Sequence, residues 1–409
     1  MEATTVSGTC APGFDGVRAA FERNFTVHGD IGAALAVTLD GSPVVDLRGG
    51  HTDATRTRAW DRDTLVNVYS TSKGMTALCA HILVERGELD LDAPVARYWP
   101  QFAEAGKAEL PVRWLLSHRS GLIAPHEPLP LPAAYDWERV CAALAATRPW
   151  WQPGTAQGYH ALTFGYLVGE VVRRITGVSV GTFLRTEVAE PLGARVFIGT
   201  PEEEHPHCAD MVGQLDEARL IERFPDAPLP PYASIDDHPL AALMLSLTYI
   251  PTGDVNSAVY RSAEIPAGNA HASALGLATV YGALACGGLV GPGTLAAMRQ
   301  VQSRPQELDL AINALAPAGT GMRWGLGYMV NPGGRSGPNP RAFGHGGAGG
   351  SFAFADPENR LSYAYTMNRY GEGTAGEDPR NVGLVAAVYA ALEERGGSRV
   401  VRAVADGGA

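Results

Sequence analysis

Leu65-Val66-Asn67-Val68-Tyr69-Ser70-Thr71-Ser72-Lys73 is the stretch from which the rest of the chain can be read. Leu65 to Tyr69 is rich in residues that favour extended backbone. Ser70, Thr71 and Ser72 then form a hydroxyl cluster of the kind that caps a helix, and a helical pattern follows to about Arg86. Residues three apart share a helix face, so the Ser70 hydroxyl and the Lys73 amine come within hydrogen-bond reach. That pairs a nucleophile with a base, provided the lysine is neutral. The bland alternative is a capping serine followed by an exposed first-turn lysine. A lysine there opposes the helix dipole, which favours the chemical reading.

Composition sharpens the point. Of 32 basic residues among 409, only Lys73 and Lys107 are lysine; the rest are arginine. Arginine stays protonated, whereas a buried lysine can lose its proton and act as a base. The chain is 45% apolar and 18% charged, enough for a full-sized core. Its net charge of −11, with no basic run, argues against nucleic acid and against anionic membrane surfaces as partners. No apolar run approaches the ~18 residues that span a bilayer, and the five cysteines lack disulfide or metal spacing. A cytoplasmic protein with reduced thiols is expected.

Outward from Ser70, Phe14 to Phe25 reads as an amphipathic helix. Gly32–Leu39 and Pro43–Leu47 read as a hairpin closed by Asp40-Gly41. From about Leu89 to Pro266 the pattern is mostly helical, broken by proline-rich connections at Pro125–Pro132 and Pro225–Pro231. Strand signal returns at Gly325–Val330, Ala342–Gly346, Ser351–Ala355 and Leu361–Met367, and Val382–Glu394 reads as a closing helix. The simplest assembly is α+β: both chain ends share an antiparallel sheet flanked by terminal helices, with residues 1–66 and 267–409 in one unit. Residues 67–266 form an inserted, mostly helical lobe, with the site in the cleft between them.

Three further motifs complete a pattern: Trp114-Leu115-Leu116-Ser117-His118-Arg119-Ser120-Gly121-Leu122; Pro153-Gly154-Thr155 to Tyr159, running into Phe164-Gly165-Tyr166-Leu167-Val168-Gly169; and Phe343-Gly344-His345-Gly346-Gly347-Ala348. With Ser70-x-x-Lys73 they occur in the order found in the serine β-lactamases and penicillin-binding DD-peptidases. Over residues 14 to 395 the chain resembles that superfamily, and within it the class C β-lactamases and family VIII carboxylesterases. The resemblance implies a β-lactamase/transpeptidase-like fold. It makes Ser70 the nucleophile, Lys73 its base partner and Tyr159 the catalytic tyrosine. It also implies an oxyanion hole from the backbone N–H groups of Ser70 and Ala348, and substrate contacts along Gly346 and Gly347. Lowering of the Tyr159 pKa by Lys73 would let its phenolate act as a base.

Two departures bear on substrate. The Y-x-N slot reads Tyr159-His160-Ala161, without the amide that binds a β-lactam side chain, and the K-T-G slot reads His345-Gly346-Gly347, without the fixed cation that holds a carboxylate. Both resemble the esterase branch and imply small neutral esters, cleaved through an acyl-enzyme on Ser70 with no cofactor or metal. His345 is expected either to donate a hydrogen bond in the site or orient Tyr159, or to be an ordinary strand histidine. Rival readings are an acyltransferase or peptide cyclase, a weak β-lactamase, and a non-catalytic binding protein on the same scaffold.

Three patterns read as noise. Gly344-x-Gly346-x-x-Gly349 matches a dinucleotide fingerprint but precedes a strand rather than a helix. His205-Pro206-His207-Cys208-Ala209-Asp210 reads as a solvated loop rather than a metal site. Gly177-Val178-Ser179-Val180-Gly181 matches a nucleophile elbow but follows a helix, so Ser179 is expected in a helix-ending turn.

Overall fold

A computed structural model describes residues 4–130, 132–213, 250, 252–303, 309–310, 323–331, 334–371 and 378–396. Among the described residues, eight strands form one antiparallel sheet in the order β1-β3-β2-β11-β10-β9-β8-β7. They are β1 (Val6–Cys10), β2 (Gly32–Leu39), β3 (Ser42–Gly50), β7 (Arg323–Trp324), β8 (Met329–Val330), β9 (Phe343–Gly346), β10 (Phe352–Asp356) and β11 (Leu361–Met367). Strand β2 pairs with β3 on one side and β11 on the other, so the two ends of the chain meet in the sheet centre. The hairpin turns at Asp40 and Gly41, both at positive φ, as a two-residue primed turn requires.

Residues alternate across β11. The Tyr363 hydroxyl donates to Asn381 on the closing helix, Pro379–Glu394, while the Ser362 hydroxyl donates to Ala278 O on the helix Ala274–Ala285. Both faces are therefore covered, which is why β10 and β11 are buried throughout. The closing helix packs against α1 (Asp15–Thr26), whose Val17 and Phe21 are buried. A smaller sheet, β4 (Val66–Asn67), β6 (His271–Ala272) and β5 (Val196–Phe197), leads directly into the Ser70 turn.

The structure departs from the sequence reading in specific places. The strand expected over Gly325–Val330 is instead two short strands flanking a turn, because Gly327, at φ +87°, packs where a Cβ would lie 2.3 Å from Ala77 Cβ. The extended stretch at Leu65–Tyr69 shrinks to Val66–Asn67. The closing helix starts three residues early, because Asp378 caps it and proline fits its first turn. Strand β1 was not anticipated. The hydroxyl cluster does not cap the helix α2 (Ser72–Glu85): no side-chain cap forms at Thr71. Ser72 instead donates to Tyr69 O and accepts from the Ala270 N–H, at 2.9 Å, because the three hydroxyls hold the turn to its surroundings. Residues 225–231 and residue 131 of the proline-rich connections lie outside the described residues. Among the described residues no helix is long and apolar enough to cross a membrane.

The helix Ala274–Ala285 approaches the sheet closely at Gly282, where a Cβ would fall 2.4 Å from Thr38 Oγ1, itself hydrogen-bonded to Ser362 Oγ at 2.7 Å. Gly282→Ala should lower stability by about 1–3 kcal/mol, read as a lower urea midpoint with unchanged slope. Coincident unfolding curves would show that this contact does not set the helix–sheet distance.

Candidate active site

The site is assembled from the start of α2, the segment before the helix Thr163–Thr176, and the end of β9. Ser70 lies in a single 3-10 turn, Tyr69–Thr71, joined directly to α2. Tyr69, just before it, is held at φ +45°, a left-handed conformation that costs a non-glycine residue about 1–3 kcal/mol. Its N–H donates to Asn67 Oδ1, and the Thr71 N–H donates to Val68 O. The Ser70 N–H lies between these two, in the first turn, where no helical carbonyl can accept it.

The turn is tied to β9 and the segment after it. Ser351 Oγ donates to Val68 O at 2.7 Å, and Thr71 Oγ1 reaches His345 O at 3.3 Å and Ser351 Oγ at 3.2 Å. Gly347 is needed at this crossing, because a Cβ there would sit 2.2 Å from Val68 O. Ala348 follows, opening the 3-10 turn Ala348–Gly350. Ser70 and Ala348 are partly exposed, whereas Lys73, Tyr159, His345, Gly346 and Gly347 are buried.

Lys73 is fully buried, which overturns the exposed-lysine alternative. Its Nζ lies 3.1 Å from Ser70 Oγ, 2.8 Å from Ala161 O and 2.9 Å from Ala267 O. Burial drives its pKa well below 10.5. The two carbonyls can only accept, so in the neutral form that burial favours they take both N–H groups of the amine and leave its lone pair for the Ser70 O–H.

The other lysine behaves in the opposite way. Lys107 Nζ meets three carbonyls, Glu104 O at 2.9 Å, Ala145 O at 2.7 Å and Thr147 O at 2.6 Å, which match the three N–H groups of an ammonium. Burial lowers its pKa to about 8, so it keeps its proton at neutral pH. Its role is to close the end of the helix Trp137–Ala146.

Tyr159 stacks on Trp324 with ring centroids 5.2 Å apart, and Lys73 Nζ lies 4.7 Å from its ring centroid. A hydrogen bond links its hydroxyl to the Ser70 side chain. The structure corrects the expectation of a phenolate: burial raises the Tyr159 pKa, and Lys73, itself losing charge to burial, does not bring it down. Asp309 holds both aromatics, accepting the Tyr159 N–H at 3.1 Å and the Trp324 indole N–H at 3.0 Å.

His345 is also reassigned. Its Nδ1 lies 2.7 Å from Gly346 O, which can only accept, so Nδ1 carries the proton and Nε2 presents a lone pair. Burial, which outweighs the opposing hydrogen bond to Gly346 O, lowers its pKa to about 3. The ring therefore accepts at Nε2 and does not donate there. His345 Nε2 has no partner among the described residues. The Tyr159 and Trp324 rings are its neighbours, at 6.2 and 5.6 Å between centroids.

Sequence reasoning missed His118, although its motif was quoted. His118 adopts φ +60°, and its Nδ1 accepts the His160 N–H at 3.2 Å. Its ring packs against Tyr159 at 4.9 Å and edge-on to Trp324 at 4.6 Å. His160 Nδ1 in turn donates to Gly158 O at 2.6 Å and its Nε2 accepts from Ser120 Oγ at 2.8 Å. The only signal for this aromatic wall was the density of histidine in the two motifs. Trp324 and Asp309 carried none.

The three noise patterns lie elsewhere or do other work. Gly344 to Gly349 runs into a 3-10 turn and then β10. His205 to His207 lie in the 3-10 turn Glu202–His207, with His205 Nε2 3.2 Å from Thr200 O. Ser179 caps the helix Val180–Leu184 by accepting the Thr182 N–H, and it donates to half-buried Glu264 at 2.5 Å. Gly177, in the left-handed region, ends the preceding helix.

Known proteins share this fold. The Beta-lactamase family model matches residues 19–387. The chain is 35% identical over 388 residues to the esterase/beta-lactamase LipL of Mycobacterium tuberculosis, covering 89% of this chain and 83% of that one. It is similar to a crystal structure of a family VIII carboxylesterase, with TM-score 0.81, 39% identity, and coverage of 95% of this chain and 100% of that one. A penicillin-binding protein homolog from Caulobacter crescentus gives TM-score 0.83 at 38% identity, with the same coverage.

Because burial holds His345 neutral, its ring resonances in a carbon–proton NMR titration should stay constant from pH 9 to pH 5. A midpoint near 6.5 would contradict the assignment.

Proposed function

This chain belongs to the beta-lactamase family, and we propose that it is a carboxylesterase that cleaves small neutral esters through an acyl-enzyme on Ser70. One observation carries the reading: the Lys73 amine is buried between two carbonyls and the Ser70 hydroxyl, which favours a lone pair aimed at the proton that must be removed. The esterase name of the Mycobacterium relative and the family VIII carboxylesterase structure support the reaction class.

Ser70 O–H gives its proton to Lys73 as Oγ bonds to the ester carbonyl carbon. The carbonyl electrons move onto oxygen, where the N–H groups of Ser70 and Ala348 receive the negative charge. Tyr159, protonated and hydrogen-bonded to Ser70, donates a proton to the leaving alkoxide and recovers it from Lys73, so the alcohol leaves neutral. Water then attacks the acyl-serine, giving its proton back along the same groups, and the acid departs.

The neutral ester preference rests on His345. Its Nε2 lone pair stands near where family members with a K-T-G motif place a cation, and a lone pair repels a substrate carboxylate. Gly346 and Gly347 bring β9 alongside the substrate. The likeness to an esterase/beta-lactamase makes slow β-lactam hydrolysis a measurable side reaction. The lack of transmembrane-grade helices among the described residues and the free state of all five cysteines accord with a cytoplasmic location.

A p-nitrophenyl ester panel tests the proposal, with a chromogenic cephalosporin alongside. Ser70→Ala should abolish turnover, Tyr159→Phe should lower kcat by about 10²–10⁴, and Ser179→Ala should leave it unchanged. Acyl groups trapped on another residue, or full activity of Ser70→Ala, would overturn the assignment.

A further inference from the structure

Two backbone bonds close the Ala348–Gly350 turn, Gly347 N–H to Ser351 O at 2.7 Å and Gly350 N–H to Gly347 O at 3.3 Å, and neither holds the Gly349 or Gly350 carbonyl. Gly349 and Gly350 both sit at positive φ, +80° and +121°, so the turn's own backbone is permissive. Side chains of the closing helix hold those two carbonyls from outside. Arg380 Nη2 donates to Gly349 O, and Asn381 Nδ2 donates to Gly350 O at 2.7 Å. These are successive carbonyls, directly after the residue whose N–H faces the reacting oxygen in the proposed mechanism. The Gly371 N–H also donates to Gly349 O, at 2.8 Å.

Arg380 is itself clamped. Its Nη1 donates to Asp30 Oδ1 at 2.9 Å and to Arg369 O at 3.0 Å, its Nε donates to Asp378 Oδ1 at 2.9 Å, and its Nη2 also reaches Asp378 Oδ2 at 2.6 Å. Side-chain exposures of Arg380, Asp30 and Asp378 are 3%, 0% and 1%. Asn381 is fixed by the Tyr363 hydroxyl at 2.8 Å. The glycines make room for this clamp: a Cβ on Gly350 would lie 2.2 Å from Arg380 Nη2, and one on Gly371 would lie 2.0 Å from it. Burying three charges is costly, and a hydrophobic cluster would stabilise this spot as well or better. An ion cluster retained here, gripping a two-glycine turn, calls for a geometric purpose.

We propose that Arg380 and Asn381 are positioning residues for the oxyanion hole: anchored through Asp30, Asp378 and Tyr363, they hold the Gly349 and Gly350 carbonyls so that the Ala348 N–H points at the oxygen developing negative charge. This rests on the Ser70 acyl-enzyme reading. Neither residue touches substrate. Their effect falls on the transition state, where a donor misaimed by a few tenths of an ångström loses much of its value.

The test uses Arg380→Lys, which keeps the charge but cannot hold both Asp30 and Gly349 O, and Asn381→Ala, which removes one grip without leaving a buried charge unpaired. Active sites are counted with a fluorophosphonate, and kcat and KM for p-nitrophenyl acetate are measured per active site. Affinity for phenylboronic acid, whose serine adduct places an oxygen in the hole, is measured in parallel. The expected result is a kcat about 10- to 100-fold lower, KM changed less than about threefold, boronate affinity weakened in proportion to kcat, and an unshifted pH profile. A purely structural role would lower the count of active sites while leaving kcat per site and boronate affinity intact, and that outcome overturns the proposal. Should Arg380→Lys not fold, Asn381→Ala decides alone. Loss of activity in Ser70→Ala with wild-type constants in Asn381→Ala refutes the positioning role only, whereas an active Ser70→Ala refutes the underlying mechanism.

Discussion

A lysine amine shut away from water beside a serine hydroxyl is the constraint around which the molecule is organised. In water the amine would be protonated and useless as a base, and in a dry interior without partners it would be costly to bury. Two carbonyls from distant parts of the chain, Ala161 and Ala267, accept hydrogen bonds from the amine and offset the cost of burying it, and on the proposed mechanism they leave its lone pair to Ser70. Lys107 shows the contrast: a third carbonyl in place of a hydroxyl suits the ammonium form, and the residue becomes a helix cap. On the proposed mechanism, the difference between a base and a strut is one oxygen atom's ability to donate.

That arrangement demands that three separate segments meet. The helix α2 brings Ser70 and Lys73, the segment before Thr163–Thr176 brings Tyr159 and Ala161, and the stretch before β6 brings Ala267. Strand β9 completes the site only because glycine at 347 lets it pass against Val68. The sheet centre, where β2 and β11 pair, carries β9 and β10 in fixed register with the N-terminal strands. Covering both faces with helices keeps that register, since every residue of β10 and β11 has a buried neighbour to answer to.

Much of this was legible in the sequence because the signals were local. Strands β2 and β11 fall where the alternation and turn residues put them, and Ser70 with Lys73 stand out by spacing and by the scarcity of lysine. What was not legible depends on contacts between distant residues. The Gly325–Val330 run has strand composition, but Gly327 must turn beside Ala77. The hydroxyls of Thr71 and Ser72 have capping chemistry, yet they are spent on His345 O, Tyr69 O and Ala270 N. The proton on His345 depends on Gly346 O, and the neutrality of Tyr159 depends on burial, neither of which a motif encodes. His118 and Trp324 were invisible as site residues because a stacked aromatic wall has no sequence spacing.

With only two lysines, the central claim can be tested with unusual directness. Lysine labelled with nitrogen-15 at Nζ gives two side-chain resonances in the folded protein. At pH 7 the account predicts one amine and one ammonium, with the amine signal lost in Lys73→Met and the ammonium signal retained. Two ammonium resonances at that pH would mean that Lys73 holds its proton, and that Ser70 must be activated by something else.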